Sequence, residues 1–336
     1  MPFLTFNLEN LRTPSGTPSS WKWVTLCGPD AKDFLHRLTT VNLKRIQPGQ
    51  GASGCFLTPQ GKIRSWFTLW RFGTDDFAFE YEAGIDQFWT TQLLAAIDQY
   101  TFAEKQTLKD VTELDCRWFF CEPQLEAQLL EKLGAAGLKA GETVANGEEI
   151  RLCHRGLADY GKIMISAWGR PARLQQFTER AFPNDALKTL ALEDLEKARI
   201  QSLRPRLGAE ITLETQPLEV GLFDAVAESK GCYPGQEVIE KVISLGSPAK
   251  RLILLEGTGP SPSRGDKLFT TATPPAEAGE ITSIAQISKS TDRFLALAVV
   301  RKIHAKEGVC FNTESGINLT LLRATASSMD QLVGTP

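Results

Sequence analysis

Apolar and polar residues alternate along the chain in patterns that predict strands and helices in mixed order. Residues 21–27 have the composition of a strand, and residues 31–38 carry apolar side chains at the spacing of an amphipathic helix. Asp30, just before this helix, is a typical N-cap. Further strands are expected at 63–72, 77–82, 107–114, 116–121, 150–153 and 161–166, and further helices at 88–100, 125–133, 171–182 and 187–200.

The pattern changes from Arg251 onward. Short apolar strands, separated by clusters of Gly, Pro and Ser, are expected at Leu252–Leu255, Ile281–Ile287, Phe294–Val300 and Leu319–Leu322. This part predicts a small all-β domain, whereas the interleaved strands and helices before it predict α+β sheets with helices on one face.

Length and composition limit the classes of protein to consider. A chain of 336 residues suggests two or three domains, and its 42% hydrophobic content is ordinary for a globular protein. No apolar run approaches the roughly 20 residues of a membrane span, and the first residues do not resemble a signal peptide. We therefore expect no membrane association and a cytoplasmic location, or the mitochondrial matrix if the chain is eukaryotic.

Cysteines, histidines and charge exclude further classes. The seven cysteines are scattered without a CxxC pair, and the three histidines lack ligand partners at metal spacing, so no permanent metal is predicted. The net charge of −3 gives no general attraction for nucleic acid. Patterns typical of Rossmann, P-loop, α/β-hydrolase and zinc-protease sites are absent from the sequence.

The segment Lys230-Gly231-Cys232-Tyr233-Pro234-Gly235-Gln236-Glu237, called the octapeptide below, is the densest in chemistry. Pro234 and Gly235 fit the two central positions of a type II turn. The octapeptide ends a long stretch, residues 203–236, that lacks periodicity and is expected to be a functional loop.

Each polar residue of the octapeptide has a functional and a structural interpretation. Lys230 and free backbone N–H groups favour a reactive thiolate at Cys232, although a free cysteine is also commonly a small buried hydrophobe. Gln236 and Glu237 match the donor and acceptor edge of a heterocycle such as a pterin, or they simply stabilise the turn.

A charged cluster precedes the octapeptide. Most of the charged residues in 193–199 are expected to form a solvated helix face with pairs four residues apart. Arg204 and Arg206 follow in a loop, where two guanidinium groups are suited to hold a ligand carboxylate.

Several segments together carry a resemblance to a known family. They are Val24–Thr40, Leu57–Ile63, Ala198–Ile200, Leu207–Glu210, Pro217–Glu219, the octapeptide, Gly279–Ser283 and Leu295–Arg301. On these residues the chain resembles the YgfZ-type folate-binding proteins, which are relatives of the glycine cleavage system T-protein, an aminomethyltransferase. The segment Val24–Thr40 is shared with the T-protein, whereas the octapeptide is typical of the YgfZ branch.

The resemblance implies an α+β fold in which two interleaved sheet-plus-helix domains surround a central folate-type cavity, followed by a small C-terminal all-β barrel. The implied boundaries are 1–50 plus 140–245 for the first domain, 51–139 for the second and 246–336 for the barrel. The implied function is that of a tetrahydrofolate-binding accessory protein, which supports iron-sulfur cluster assembly or repair and iron-sulfur-dependent tRNA modification. Iron-sulfur proteins or assembly factors are then the expected partners of a monomer, and direct tRNA contact stays open.

The same resemblance implies roles for individual residues. Cys232 is expected to act as a redox-responsive or transiently ligating thiol with Lys230 as its activator. Tetrahydrofolate is expected to contact Gln201, Arg206, Glu210, Tyr233, Gln236 and Glu237.

Two departures from the T-protein pattern leave the reaction open. Arg64 and Ser65 stand where that pattern places a catalytic aspartate, and Gln201 stands where it places a glutamate. Aminomethyl transfer would thus lack its main acid. A folate-dependent aminomethyl or methyl transferase and a folate-free protein-interaction module remain the alternatives to the accessory protein.

Overall fold

The computed structural model describes residues 3–7, 21–82, 87–110, 114–147, 149–156, 161–183, 187–288 and 292–326. The chain forms two compact units. The first comprises Met1–Phe56, Arg64–Leu192 and Ala225–Tyr233, and the second comprises Leu57–Ile63, Glu193–Asp224 and Pro234–Pro336. The domain boundaries expected from the sequence stay a prediction.

Strands dominate the described residues. The strands are β1 (Phe3–Asn7), β2 (Trp21–Cys27), β3 (Gln50–Leu57), β4 (Ile63–Arg71), β5 (Asp76–Glu82), β6 (Thr107–Asp110), β7 (Asp115–Cys121), β8 (Thr143–Asn146), β9 (Ile150–Gly156), β10 (Ile163–Gly169), β11 (Leu187–Thr189), β12 (Lys250–Thr258), β13 (Lys267–Thr270), β14 (Glu277–Ser288), β15 (Arg293–Arg301), β16 (Cys310–Thr313) and β17 (Asn318–Ala324). The α-helices are α1 (Ala31–Leu38), α2 (Phe88–Tyr100), α3 (Glu126–Lys132), α4 (Pro171–Ala181), α5 (Leu192–Gln201) and α6 (Gln236–Ser244). Short 3₁₀ helices cover Pro123–Leu125, Pro217–Val220 and Lys302–His304.

The first unit contains a six-stranded sheet in the order β11-β1-β7-β10-β9-β8. Strand β1 pairs antiparallel with β7 and parallel with β11. Helices α3 and α4 cover one face, where Leu129 and Phe177 join Phe119 and Ile165 of the strands in one buried cluster.

A five-stranded sheet in the order β3-β4-β5-β2-β6 also belongs to the first unit. Its core takes in the apolar stripes of α1 and α2, with Phe34 and Leu93 both fully buried. The predicted helix 31–38 is confirmed, but the Asp30 carboxylate does not cap it. Asp30 instead accepts a hydrogen bond from the backbone N–H of Lys105 at 2.7 Å.

The second unit contains a closed antiparallel barrel in the order β12-β15-β14-β13-β16-β17. Closure leaves no free strand edge. At Gly257 the backbone of β12 lies directly on Phe294 of β15, since a Cβ there would stand 2.3 Å from the ring. The predicted mixed α+β class with a C-terminal all-β barrel is confirmed.

The sequence pattern missed several elements, among them helix α6 and a number of short strands. The predicted helix 187–200 is divided, because residues 187–189 form β11 and α5 begins only at Leu192. No strand was expected between the helix 125–133 and the strand 150–153, where β8 lies, and the barrel has two additional short strands, β13 and β16. Strands of three or four residues carry almost no periodicity, so their partners in the sheet decide them.

Among the described residues, no helix has both the length and the apolar character needed to span a bilayer.

Candidate functional site

Lys230, the first residue of the octapeptide, is buried within the first unit at 5% exposure. Its Nζ donates hydrogen bonds to the carbonyl oxygens of His36 and Thr39, the latter at 2.6 Å. The ammonium also lies 4.8 Å from the ring centroid of Tyr233, a cation–π contact. Because these carbonyls belong to the C-terminal end of α1, a cation there also complements the helix dipole.

The chain leading to Lys230 is fixed to the same place. Thr40 donates from Oγ1 to the carbonyl of Ala225 at 2.5 Å, and its own carbonyl accepts from the N–H of Ala227 at 3.0 Å. The beginning of the octapeptide is therefore held against the end of α1 by side-chain and backbone bonds.

Cys232 follows two residues after this anchor and is exposed. Its thiol has no hydrogen-bond partner within the described part of the chain. Gly231, with φ of 99°, turns the backbone between the buried lysine and the exposed cysteine, and a Cβ at Gly231 would meet nothing within 4 Å. The octapeptide thus presents a thiol to solvent from a fixed base.

The ammonium of Lys230 donates its hydrogen bonds to backbone carbonyls and not to the thiol of Cys232. Burial lowers the pKa of Lys230 to about 8, and the charge of Cys232 opposes that shift. The expected activation of Cys232 by Lys230 stays a prediction, and the geometry adds an anchoring role for the lysine.

Gly235 adopts φ of 81° and ψ of 2°, the values that the third residue of a type II turn requires. A Cβ at this position would stand 2.5 Å from the carbonyl oxygen of Thr58, so only glycine fits without a shift. Helix α6 begins at the next residue. There Gln236 donates to Glu240 at 2.5 Å, and Glu237 is exposed.

A charged network surrounds Arg199 of α5 in the second unit. Arg199 Nη1 donates to Glu210 at 3.0 Å, Nη2 donates to the hydroxyl of Ser283 at 2.7 Å, and Nε and Nη2 hold Glu196 at 2.9 and 2.6 Å. Ser283 in turn donates to Glu210 at 2.6 Å. The network connects α5, the following loop and barrel strand β14.

The predicted solvated face of α5 is therefore wrong for two of its charged residues. Arg199 is only 3% exposed, and Glu196 accepts hydrogen bonds from Arg199 and from Arg206. Burial alone would raise the pKa of Glu196, but the charges of Arg199 and Arg206 hold it below the usual value. Pairing four residues apart along the sequence gave no hint of Ser283, which lies on the barrel.

The candidate folate residues differ in their exposure and in how many of their hydrogen-bonding groups are already used within the protein. Glu210 is 3% exposed, and its carboxylate also accepts from the backbone N–H of Arg206 at 3.0 Å. Arg206 is half-buried and uses only Nη1 on Glu196, at 3.1 Å. Gln201 is exposed, and its backbone carbonyl accepts from Arg323 at 2.5 Å.

The comparisons with known proteins agree with each other. No family model matches the chain. It is 24% identical over 242 residues to the "tRNA-modifying protein YgfZ" of Serratia proteamaculans, a match that covers 70% of this chain and 69% of that protein. It is 23% identical to the aminomethyltransferase of Corynebacterium jeikeium, a match that covers 85% of this chain and 78% of that protein.

The fold is shared with a solved aminomethyltransferase structure. The glycine cleavage system aminomethyltransferase T of Bartonella henselae matches with a TM-score of 0.78 at 19% identity, over 96% of this chain and 85% of that one. The chain is homologous to YgfZ-type proteins, a group related to the aminomethyltransferases. It is also 26% identical to the "Putative transferase At1g60990, chloroplastic" of Arabidopsis thaliana, and spans about half of it, with 71% of this chain and 55% of that protein covered.

Arg64 and Ser65 stand in this chain where the T-protein pattern places an aspartate. Arg64 donates to the side chain of Gln99 at 2.5 Å. Ser65 is fully buried, and its hydroxyl has no partner among the described residues. Neither side chain supplies a carboxylate.

Two cysteines of the described chain are exposed, Cys232 and Cys310. Cys310 therefore does not take the buried position that is common for a free cysteine. The strand that carries it, β16, alternates between the two faces of the barrel wall, and Cys310 is on the outer face while Phe311 is inside.

Proposed function

We propose that the protein is a tetrahydrofolate-binding accessory factor, which supports iron-sulfur cluster assembly or repair and iron-sulfur-dependent tRNA modification. The observation that carries this proposal is the exposed Cys232 thiol on a segment anchored by Lys230. The homology to two bacterial proteins named as tRNA-modifying supports it, as does the aminomethyltransferase fold.

Cys232 is the proposed acting group. An exposed thiol near a cation is suited to reversible oxidation or to brief ligation of iron in a cluster that is being delivered or repaired. Lys230 holds the start of the octapeptide on the carbonyls at the end of α1, so the Cys232 thiol can be exposed to solvent while the segment before it stays folded.

Tetrahydrofolate fits only part of the candidate residue set. Arg206 retains N–H groups that no described acceptor uses, and these suit the carboxylates of a folate tail. The exposed side chains of Gln201 and Glu237, together with the side-chain carbonyl of Gln236, suit a polar heterocycle. Glu210 and Tyr233, which are engaged with Arg199 and Lys230, would support the neighbouring residues.

Aminomethyl transfer is the weaker alternative. The buried Ser65 and the paired Arg64 offer no acid in β4, and Glu210 is neutralised by Arg199. Formation of methylenetetrahydrofolate from a small amine donor, lost in Arg206→Ala, would reverse this order.

The test compares Cys232→Ser with Cys310→Ser, the other exposed cysteine. In cells that lack the protein, the wild type and Cys310→Ser are expected to restore the tRNA product of an iron-sulfur enzyme, and Cys232→Ser is expected to fail. Calorimetric titration with tetrahydrofolate should give the same affinity for all three. Full restoration by Cys232→Ser would refute the thiol role, and an absence of binding by the wild type would favour the folate-free interaction module.

A further inference from the structure

The first unit contains a cleft of about 440 Å³ that shares no residue with the octapeptide or with the network around Arg199. Its walls come from both sheets of that unit, and include Trp23, Phe72, Asp76, Arg151 and Trp168. The volume lies in the range of small-molecule pockets, roughly 300 to 1,000 Å³.

The aromatic wall of the cleft is preformed. Trp23 and Phe72 stack with ring centroids 5.4 Å apart and planes 12° apart, and Trp168 lies 4.6 Å from Trp23. Buried Arg71 fixes the turn after Phe72 by donating to the carbonyls of Gly73 at 3.0 Å and Thr74 at 3.1 Å. The wall therefore needs no ligand to take its shape.

The guanidinium of Arg151 lies over the Phe72 ring of this wall. Its Cζ is 3.8 Å from the centroid of the Phe72 ring. None of its N–H groups has an acceptor within the described part of the chain. The planar fork of a guanidinium matches a carboxylate through two parallel hydrogen bonds.

Asp76 supplies the opposite charge. Its Oδ1 accepts a hydrogen bond from the thiol of Cys27 at 2.9 Å, and no described residue donates to Oδ2. Burial, with help from Asp76, raises the pKa of Cys27 to about 11, so the thiol stays protonated and keeps the carboxylate oriented.

Arg151 and Asp76 form no ion pair with each other, although both line the cleft. Elsewhere in the same unit a buried arginine is matched, as Arg155 is with Glu80 at 2.8 Å. We propose that the cleft binds a small zwitterion with an apolar side chain, of the amino-acid class. Its carboxylate would bind Arg151, its ammonium would bind Asp76 and its side chain would lie against the aromatic wall. This site is independent of the proposed folate and thiol functions.

Three probes separate the parts of this proposal. L-phenylalanine has both charges, phenylacetate lacks the ammonium, and phenethylamine lacks the carboxylate. Calorimetric titration of the full chain should show L-phenylalanine binding at least about tenfold tighter than either of the others, since a charged hydrogen bond is typically worth that much.

Two variants and a control assign the contacts. Arg151→Gln should weaken L-phenylalanine and phenylacetate by at least about tenfold. Asp76→Asn, which keeps an acceptor for Cys27, should weaken L-phenylalanine to the level of phenylacetate and leave phenylacetate unchanged. Arg173→Gln, which changes an exposed arginine of α4 outside the cleft, should bind like the wild type.

Two results would overturn the proposal. No saturable binding of L-phenylalanine by the wild type would remove the site. Equal wild-type affinities for L-phenylalanine and phenylacetate would show that Asp76 does not bind the ammonium, and the proposal of a zwitterionic ligand would then be wrong. Thermal unfolding of each variant shows whether it is folded, and Asp76→Asn keeps the question decidable if Arg151→Gln unfolds.

Discussion

Lys230 and Cys232 are two residues apart and have opposite environments. The ammonium of Lys230 is buried on the carbonyls of His36 and Thr39, which lie 194 and 191 residues earlier in the sequence, while the thiol of Cys232 is exposed. The short segment 230–232 reveals which chemical groups are present. Only the end of α1 determines which of them is anchored and which is free to react.

Replacing Lys230 by Met should destabilise the first unit. Two largely buried carbonyls lose their donor, at a cost of about 1–3 kcal/mol. Urea unfolding measures the change, and Lys241→Met, at an exposed lysine of α6, is the matched control. Equal stabilities of the two variants would show that the anchor contributes nothing.

The burial of Lys230 also predicts a pH dependence. Its pKa falls from 10.5 to about 8 on folding, so between these values the unfolded chain binds more protons than the folded one. The contribution of Lys230 to the free energy of unfolding should therefore increase, and the folded state become more stable, as the pH rises from 8 to 10.5. Urea titrations across this window should show that contribution in the wild type and not in Lys230→Met, whereas parallel curves would contradict it.

At the scale of elements, contacts distant in sequence build the charged network and determine where the turn before α6 packs. Arg199 of α5 reaches Ser283 on β14, and Gly235 lies against Thr58. The helix α5 was predicted only roughly, because its own pattern is weakly amphipathic, while the type II turn was recognisable from Pro234 and Gly235 alone.

Glu210→Gln should be costly because it removes one of the two carboxylates that pair with the buried guanidinium of Arg199. Loss of one member of a buried ion pair typically costs about 3–5 kcal/mol. Urea unfolding should show this loss in Glu210→Gln and almost none in Glu214→Gln, which alters an exposed glutamate four residues away. A small effect at Glu210 would mean that the network adds little to stability.

Gly235→Ala and Gly231→Ala should differ although both glycines have positive φ. Alanine in this region costs about 1–2 kcal/mol in either position. At Gly235 its Cβ also meets the backbone of Thr58 at 2.5 Å, whereas at Gly231 it meets nothing. The midpoint temperature of thermal unfolding should therefore be much lower for Gly235→Ala than for Gly231→Ala. The reverse order would contradict the packing of this turn.

At the scale of the whole molecule, the fold sorts seven similar thiols into different classes. Cys55, Cys116, Cys121 and Cys153 are buried, Cys27 is half-buried and bonded to Asp76, and Cys232 and Cys310 are exposed. Burial also raises the pKa of Cys121 to about 11. The sequence offers seven candidates for thiol chemistry, and the structure leaves two accessible.

Alkylation with iodoacetamide, followed by peptide mass spectrometry, should label Cys232 and Cys310 rapidly in the native protein. The other cysteines should react only after unfolding, because their sulfurs are shielded or protonated. Rapid native labelling of Cys153, which is fully buried between strands, would contradict the fold of the first sheet.

The sequence by itself determined the elements that carry a strong local pattern: the apolar stripe of α1, the long strands of the barrel and the turn at Gly235. These follow from spacing and backbone preference within a few residues. The tertiary structure decided the short strands β8 and β11, the partners of Arg199 and the meeting of Arg151 with Asp76 in one cleft. Those features depend on residues that are far apart along the chain, and no local pattern specifies how such residues pair.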